Sequence, residues 1–254
     1  MKLTKLTLTA LAVLCGSQAM AGGIAGNTHN DSFNKAKKIM QRQIYTQPAN
    51  MKTLYCDAQF DSRKNISLPS GFVNEKWKKR ALRWEAEHIV PMENIGRSFK
   101  EWRDGSPDCV DSKGKSFKGR NCASKVSKTY RYIQADLHNL SPAIGSVNAA
   151  HSNYRWAMMP DAKSVFGSCD FRYDSKKRIA QPPANSRGEV ARASLYMEAA
   201  YPMYRLSSQQ KKMMQAWDKQ DPVTAWECQR NKKIKAIQGN DNPFVSKQCA
   251  AKGM

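Results

Sequence analysis

The segment RWEAEHIVP, residues 83–91, places a carboxylate beside an imidazole, Glu87 and His88, in a chain with only four histidines. A histidine can take a proton from water near neutral pH, and a carboxylate is a good ligand for a hard divalent cation. Hydrolysis of a phosphodiester needs an activated water and a cation that offsets the charge on the phosphate. The pair has the residue types for that reaction. An isolated Glu-His pair is more often a structural or solvated ion pair, so other residues must decide between the two interpretations.

Adjacency raises a geometric question, because successive side chains of a strand point to opposite faces. Pro91 follows three residues after His88 and predicts that the strand ends nearby, since proline removes a ladder donor. At a strand end, divergent side chains can approach one phosphate from different sides. The spacing is therefore compatible with Glu87 as a cation ligand and His88 as the base.

A second block, ADLHNLSPAIGSVN at residues 135–148, adds an asparagine on a predicted short helix. Together with RWEAEHIVP, LYC (54–56), GRNC (119–122) and QAWDKQDPVTAWECQR (215–230), it resembles the bacterial endonuclease I family. These are periplasmic and secreted non-specific nucleases with a ββα-metal active site. The matching blocks occur in order over nearly the whole chain after its leader.

The resemblance implies a role for each matching residue. Glu87 and Asn148 would hold one divalent cation, Mg²⁺, and His88 would be the general base. Arg120 would contact the cleaved phosphate, although a shifted alignment of its loop would give that role to Lys118. The expected substrates are DNA, single- and double-stranded, and RNA, with 5′-phosphate products.

The sequence also departs from the family pattern. Gln134 stands where a glutamate commonly precedes ADLHNL, which puts any role of that carboxylate in doubt. The family often has a further cysteine pair where this chain has Ala58 and Pro69 nearby. One family disulfide is therefore expected to be missing.

Five other polar residues near these motifs have competing interpretations. His138 is expected to be a hydrogen-bonding residue of the core or of a loop, with a role in the site as the alternative, and Asn139 is not expected to bind the cation because Asn148 lies on the helical segment. His151 is one helical turn from Asn148 and could face the cation. Glu85 is expected to pair with a nearby arginine, and His29 is expected to have no role.

The N-terminus has the pattern of a secretory signal peptide. Lys2 and Lys5 precede an apolar stretch, and Ala19-Met20-Ala21 is a small-x-small cleavage pattern. Cleavage after Ala21 would leave residues 22–254 as one exported nuclease domain, in the periplasm or secreted. No later stretch approaches the roughly 20 apolar residues that a bilayer span needs, so no membrane partner is expected. The protein is expected to be a monomer.

Six cysteines remain after the signal peptide, and an even number in an exported protein indicates disulfides. The sequence alone leaves every connectivity open. Proximity favours Cys109–Cys122 and Cys228–Cys249, which leaves Cys56 and Cys169 for the third bridge.

The formal net charge is +21, and removal of Lys2 and Lys5 leaves +19. Such a charge attracts polyanions, of which nucleic acid is the obvious one; anionic lipid and acidic polysaccharide remain alternatives. The rival to an enzyme is a non-catalytic cationic protein that captures nucleic acid. The GxGxxG, P-loop, HExxH and GxSxG motifs are absent, so nucleotide cofactors and serine hydrolysis have no support.

Periodicity and capping signals predict a single helix-rich α+β domain. The disulfides expected from the cysteine count would cross-link it. Asp221 as cap, Pro222 at the first helical position and Gly239 at the end mark the clearest helix. The predicted elements are a helix at 31–45, strands within 52–60 and 84–90, a long loop at 96–128, a short helix at 143–152, a polar connection at 174–187, and helices at 187–201, 207–219 and 221–238.

Overall fold

Short strands and mostly short helices make up residues 24–254, which are the residues that the computed structural model describes. The predicted signal peptide, residues 1–21, lies outside this range. Within it, helix and small sheets form a mixed α and β domain, as the sequence predicts. No helix of residues 24–254 is both long and apolar enough to cross a membrane.

The α-helices are α1 (Phe33–Ile39), α2 (Met92–Gly96), α3 (Lys100–Arg103), α4 (Arg120–Val126), α5 (Lys128–Gln134), α6 (Gly145–His151), α7 (Arg187–Ala200), α8 (Ser208–Gln220), α9 (Ala225–Gln238) and α10 (Pro243–Ala251). A π-helical turn, Met40–Ile44, extends α1, and turns of 3-10 helix cover Pro48–Asn50, Lys78–Leu82, Leu137–Asn139 and Ala184–Ser186. The strands are β1 (Gln59–Phe60), β2 (Ile66–Ser67), β3 (Trp84–His88), β4 (Leu140–Ile144), β5 (Arg155–Trp156), β6 (Arg172–Asp174) and β7 (Ile179–Gln181). They form the antiparallel pairs β1–β2 and β3–β4 and a sheet of order β5–β7–β6, in which β5 and β7 are parallel.

Strands β3 and β4 and helix α6 pack together as one structural unit. The two strands pair antiparallel from Trp84 opposite Ile144 to His88 opposite Leu140. Helix α6 starts at Gly145, directly after β4. A Cβ atom at Gly145 would clash with the carbonyl oxygen of Arg80, so glycine lets the helix begin against the turn that precedes β3.

Strand β4 was not predicted, since the sequence indicated a helix from residue 143. All five β4 residues are buried, so they lack the polar alternation that marks a half-exposed strand. Pro142 lies within β4, although proline is unfavourable in a strand that must donate to its neighbour. Its carbonyl accepts a hydrogen bond from the Leu54 amide at 2.8 Å, and so points away from β3. The proline nitrogen shares that direction, and no ladder bond to β3 is lost.

The predicted loop at 96–128 was wrong in part, because it contains α3 and α4. Both helices are too short to give a clear periodic pattern. The segment between them is irregular, and Cys109–Cys122 ties it to α4. The predicted connection at 174–187 likewise contains the end of β6 and all of β7.

The start of α9 also differs from the prediction. Thr224 is the cap, with its hydroxyl accepting from the Glu227 amide at 3.1 Å. Asp221 instead ends α8, and its carboxylate accepts from the Gly188 amide at 2.8 Å. Gly239 ends α9 with a positive φ of 85°, as predicted. Helix α10 was missed, although Asn242 followed by Pro243 is a recognisable start signal.

Three disulfides are present in the structure: Cys56–Cys169, Cys109–Cys122 and Cys228–Cys249. Proximity along the chain favoured the second and third pairs, and the first is the pair that those two left over. The first joins the LYC segment to the loop before β6, and the third joins α9 to α10.

The C-terminal helices are tied together by a buried charged side chain, Arg192 of α7. Its Nε and Nη2 atoms each donate to the Glu227 carboxylate at 2.6 Å, and its Nη1 donates to Asp218 at 3.0 Å. A buried guanidinium is tolerated only when its donors are satisfied in this way. Arg192 therefore joins α7 to both α8 and α9.

Replacement of Arg192 by methionine should lower the free energy of unfolding by about 3–5 kcal/mol, because Glu227 is left buried without its partner. The matched control is Arg97→Met, which removes an exposed pair with Glu93 and should cost no more than about 1 kcal/mol. Urea unfolding of both variants measures the difference. Equal losses would contradict the assigned role of Arg192.

Candidate active site

A cleft of about 920 Å³ opens where β3 ends beside α6. Its walls include all four residues that the sequence marked for chemistry: Glu87, His88, Arg120 and Asn148. The fold therefore brings together residues from three separate segments, β3, α4 and α6.

The Glu87 carboxylate is buried and held in a fixed orientation. Its Oε1 atom accepts hydrogen bonds from the Tyr55 hydroxyl at 2.8 Å and from His151 Nδ1. Burial, and then the charge of Glu87, raise the pKa of Tyr55 well above its usual value, so its hydroxyl remains a donor. No hydrogen bond among residues 24–254 uses Glu87 Oε2. That oxygen is available to a ligand in the cleft.

Asn148 is oriented by an ion pair beside it. Its Nδ2 donates to Glu85 Oε2 at 2.8 Å, while Glu85 Oε1 accepts from Arg80 Nε at 2.8 Å. The predicted pairing of Glu85 with an arginine is confirmed. Because the amide nitrogen faces Glu85, the amide oxygen Oδ1 is left for another partner, and none of the hydrogen bonds in the described part of the chain uses it.

These two oxygen atoms fit a hard cation that keeps most of its own water. Within residues 24–254, no cluster of three or more His, Cys, Asp or Glu side chains could hold a metal ion. A zinc site would need such a cluster, whereas a magnesium-type ion binds through one or two protein oxygens and retains several waters. The donor set of Glu87 and Asn148 fits the second kind.

His88 is a neutral imidazole with one defined tautomer. Its Nε2 lies 2.9 Å from the backbone carbonyl of Gln134, which can only accept, so Nε2 carries the proton and Nδ1 the lone pair. Burial first, and then the nearby charge of Arg120, lower the pKa of His88 to about 3. Only the backbone of Gln134 makes this bond, and its side chain accepts from the Ser124 hydroxyl at 3.1 Å. The change from the family's glutamate therefore leaves the anchor of His88 intact.

Arg120 begins α4 and extends an exposed side chain to the cleft. Gly119 precedes it with a φ of 77°, a conformation that favours glycine and turns the chain into the helix. Lys118, the alternative phosphate contact, lines a different depression with Lys100 and Asp104. The other cations in the cleft wall are Lys37, Lys64, Lys79, Arg80 and Arg83.

His151 lies behind Glu87 and does not face the cleft. It is fully buried, its ring stacks on Trp156 at 4.0 Å between centroids, and its Nε2 lies 3.1 Å from the Tyr154 carbonyl oxygen. Its place one turn after Asn148 was noticed in the sequence, but its contact with the carboxylate was not. Tyr55 was missed altogether, since nothing local links the LYC segment to β3.

The other two histidines and Asn139 lie outside the cleft. His138 is buried with Nε2 at 3.2 Å from the Asn240 carbonyl. Asn139 bonds the amide and carbonyl of Val90 at 2.7 and 3.0 Å and so fixes the chain just beyond β3. His29 is exposed. None of the three lines the cleft.

Replacement of His151 by phenylalanine should weaken divalent-cation binding by about 10–100-fold, as expected when a residue that orients a ligand is lost. Phenylalanine can retain the ring packing on Trp156 but cannot donate to Glu87. Mn²⁺ titration followed by calorimetry, without DNA, gives the affinity.

His151→Gln can restore a donor and should recover part of that affinity, while His138→Phe, the matched buried control, should leave it unchanged. Thermal unfolding separates a loss of fold from a loss of orientation. Cation affinity equal to wild type in a folded His151→Phe variant would rule out the positioning role.

The chain is similar to known nucleases over almost its entire described length. The family model described as Endonuclease I matches residues 25–249. An extracellular deoxyribonuclease of Aeromonas hydrophila is 35% identical over 244 residues, covering 94% of this chain and 96% of that protein. A periplasmic deoxyribonuclease of the same organism is 34% identical over 86% of each chain. Endonuclease-1 of Buchnera aphidicola subsp. Acyrthosiphon pisum is 34% identical over 87% of this chain and 83% of its own. The chain therefore belongs to the Endonuclease I family.

Proposed function

We propose that this protein is an exported, Mg²⁺-dependent endonuclease that hydrolyses DNA, single- and double-stranded, and RNA. The observation that carries the proposal is the single cleft in which a neutral, oriented His88 meets the unused oxygens of Glu87 and Asn148. The antiparallel pair β3–β4 followed by α6 supports a ββα-metal arrangement. The names of the relatives, extracellular and periplasmic deoxyribonucleases, support export and DNA as substrate.

His88 acts as the general base. Its Nδ1 takes a proton from the attacking water, and the bond from Nε2 to Gln134 keeps the ring in place while the proton moves. A neutral imidazole is ready for this step without first losing a proton. Its low pKa, caused mainly by burial, keeps it neutral at physiological pH.

Glu87 and Asn148 hold the cation through Oε2 and Oδ1. When bound, a magnesium ion offsets the charge that builds on the phosphate and on the leaving oxygen. Arg120 binds the non-bridging oxygens of the same phosphate from the α4 side of the cleft. As the water oxygen bonds to phosphorus, the bond from phosphorus to the 3′ oxygen breaks. The 3′ oxygen takes a proton from solvent, so the products are a 3′-hydroxyl and a 5′-phosphate.

Low sequence preference follows from the cleft's lining. Its other cations are lysines and arginines that suit phosphate oxygens, and contacts to phosphate carry no direct sequence information. The same contacts are available on RNA. A sugar-phosphate backbone is therefore the recognised feature.

The rival function is capture of nucleic acid without cleavage. The positive charge fits both functions, but capture needs neither a buried histidine of defined tautomer nor a carboxylate clamped by two donors. Incubation of supercoiled plasmid with the protein, in Mg²⁺ or in EDTA, separates them. Relaxed and linear DNA in Mg²⁺ alone supports the enzyme, and intact plasmid in both conditions supports capture.

His88→Ala should lower the cleavage rate by about 10²- to 10⁴-fold, the usual effect of losing a general base. DNA affinity measured in EDTA should stay near that of wild type, since the imidazole does not hold the DNA. His29→Ala, an exposed histidine outside the cleft, is the control and should cleave normally. Full Mg²⁺-dependent cleavage by His88→Ala would exclude the mechanism.

Glu87→Gln and Asn148→Ala should each raise the Mg²⁺ concentration that gives half-maximal cleavage. The double variant should lose less than the product of the two single losses, because both residues serve one ion. Glu75→Gln, an exposed carboxylate elsewhere, controls for the loss of negative charge. Fully multiplicative losses would indicate that the two residues do not share a cation.

A further inference from the structure

A second groove, of about 510 Å³, adjoins the active-site cleft. The two share the lining residues Pro91, Glu93 and Asn153. Four arginines surround the second groove, which is called the arginine groove below: Arg97, Arg155, Arg178 and Arg205. None of them lines the catalytic cleft itself.

Separate segments of the chain bring these arginines together. Arg97 follows α2, and Arg205 lies between α7 and α8. The parallel pairing of β5 with β7 sets Arg155 beside Ile179, and the Arg155 amide bonds the Arg178 carbonyl at 3.3 Å. Since Trp156 points into the core, strand alternation directs Arg155 outward.

The charge of the groove is poorly balanced by its single acidic residue. Glu93 is already paired, at 2.5 Å with Arg97 and at 3.6 Å with Arg178. Asn153 holds the junction, since it donates to Glu93 and accepts from Arg178 at 2.8 Å. No side-chain hydrogen bond or ion pair within residues 24–254 occupies the guanidinium of Arg155 or Arg205, and both residues are exposed. Two guanidinium groups are thus left for a ligand.

Guanidinium groups bind phosphate oxygens through paired hydrogen bonds. A ligand that extends from the catalytic cleft past Asn153 would pass directly along them. We infer that the arginine groove binds the phosphates of the nucleic-acid strand beyond the cleaved bond, with Arg155 and Arg205 as the main contacts. This inference rests on the proposed function.

The groove would then contribute to substrate affinity and not to bond cleavage. A residue that contacts only distant phosphates binds the ground state and the transition state equally, and so changes KM while leaving kcat in place. It also adds a share of the salt dependence, because each phosphate contact displaces condensed counterions. These two signatures distinguish a binding groove from a structural one.

The test compares two double variants with the same loss of charge, Arg155→Gln/Arg205→Gln and Lys232→Gln/Lys247→Gln. The lysines are exposed and line neither the cleft nor the groove. Fluorescence anisotropy with a duplex oligonucleotide in EDTA, across a KCl series, measures affinity. Plasmid cleavage in Mg²⁺ at varied DNA concentration measures kcat and KM.

For the arginine variant, the slope of log affinity against log salt should fall in magnitude by about 0.9 for each lost contact, which weakens binding at about 0.1 M salt by roughly tenfold per arginine. Its KM should rise, with kcat within about twofold of wild type. The lysine variant should change the slope and KM little. Thermal unfolding should be unaltered in both, since the replaced side chains are exposed.

Matching slopes and KM values in the two variants would overturn the arginine groove while leaving the nuclease intact, because the plasmid would still be cut. A fall in kcat at saturating DNA would also overturn it, since the arginines would then act on the reaction. Failure of wild-type protein to bind and cleave DNA would instead remove the proposed function itself, and the groove with it.

Discussion

The buried carboxylate of Glu87 is the constraint around which this structure is organised. A carboxylate removed from water is costly unless donors replace its hydration. Tyr55 and His151 replace it on one oxygen only, and no hydrogen bond among residues 24–254 uses the other oxygen. The aromatic core keeps both donors in place, with Tyr55 against Phe171 at 5.1 Å and His151 stacked on Trp156 at 4.0 Å. The packing of these aromatic rings therefore fixes the orientation of the Glu87 side chain.

His88 lies on the opposite face of β3 and is held by an acceptor, whereas Glu87 is held by donors. Adjacent residues on β3 diverge, so the donors that hold Glu87 cannot also hold His88, and the Gln134 carbonyl at the end of α5 anchors the ring. Both side chains still reach one cleft because β3 ends there. Asn139 secures that end by bonding Val90 through both its amide atoms.

Pairing of the acidic residues shapes the field around the site. Glu85 is bound by Arg80 and Asn148, and Glu93 by Arg97 and Asn153. Each acid thus positions a neighbour while losing most of its influence on a distant anion. The cations without such partners leave both the cleft and the adjoining groove with a net positive charge.

The sequence by itself predicted the four residues that line the cleft, through the motifs of a known family, and the three helices between residues 187 and 238, through periodicity and caps. Proximity favoured two of the three disulfides, Cys109–Cys122 and Cys228–Cys249, and left the third pair by elimination. Only the tertiary structure decided that residues 140–144 are a strand, since a fully buried strand has no alternation and Pro142 is tolerated only because its nitrogen faces away from β3. It also decided the tautomer of His88, the contact of His151 with Glu87 and the meeting of Arg155 with Arg205. Each of these depends on atoms far apart in the chain, which local patterns of residue type do not encode.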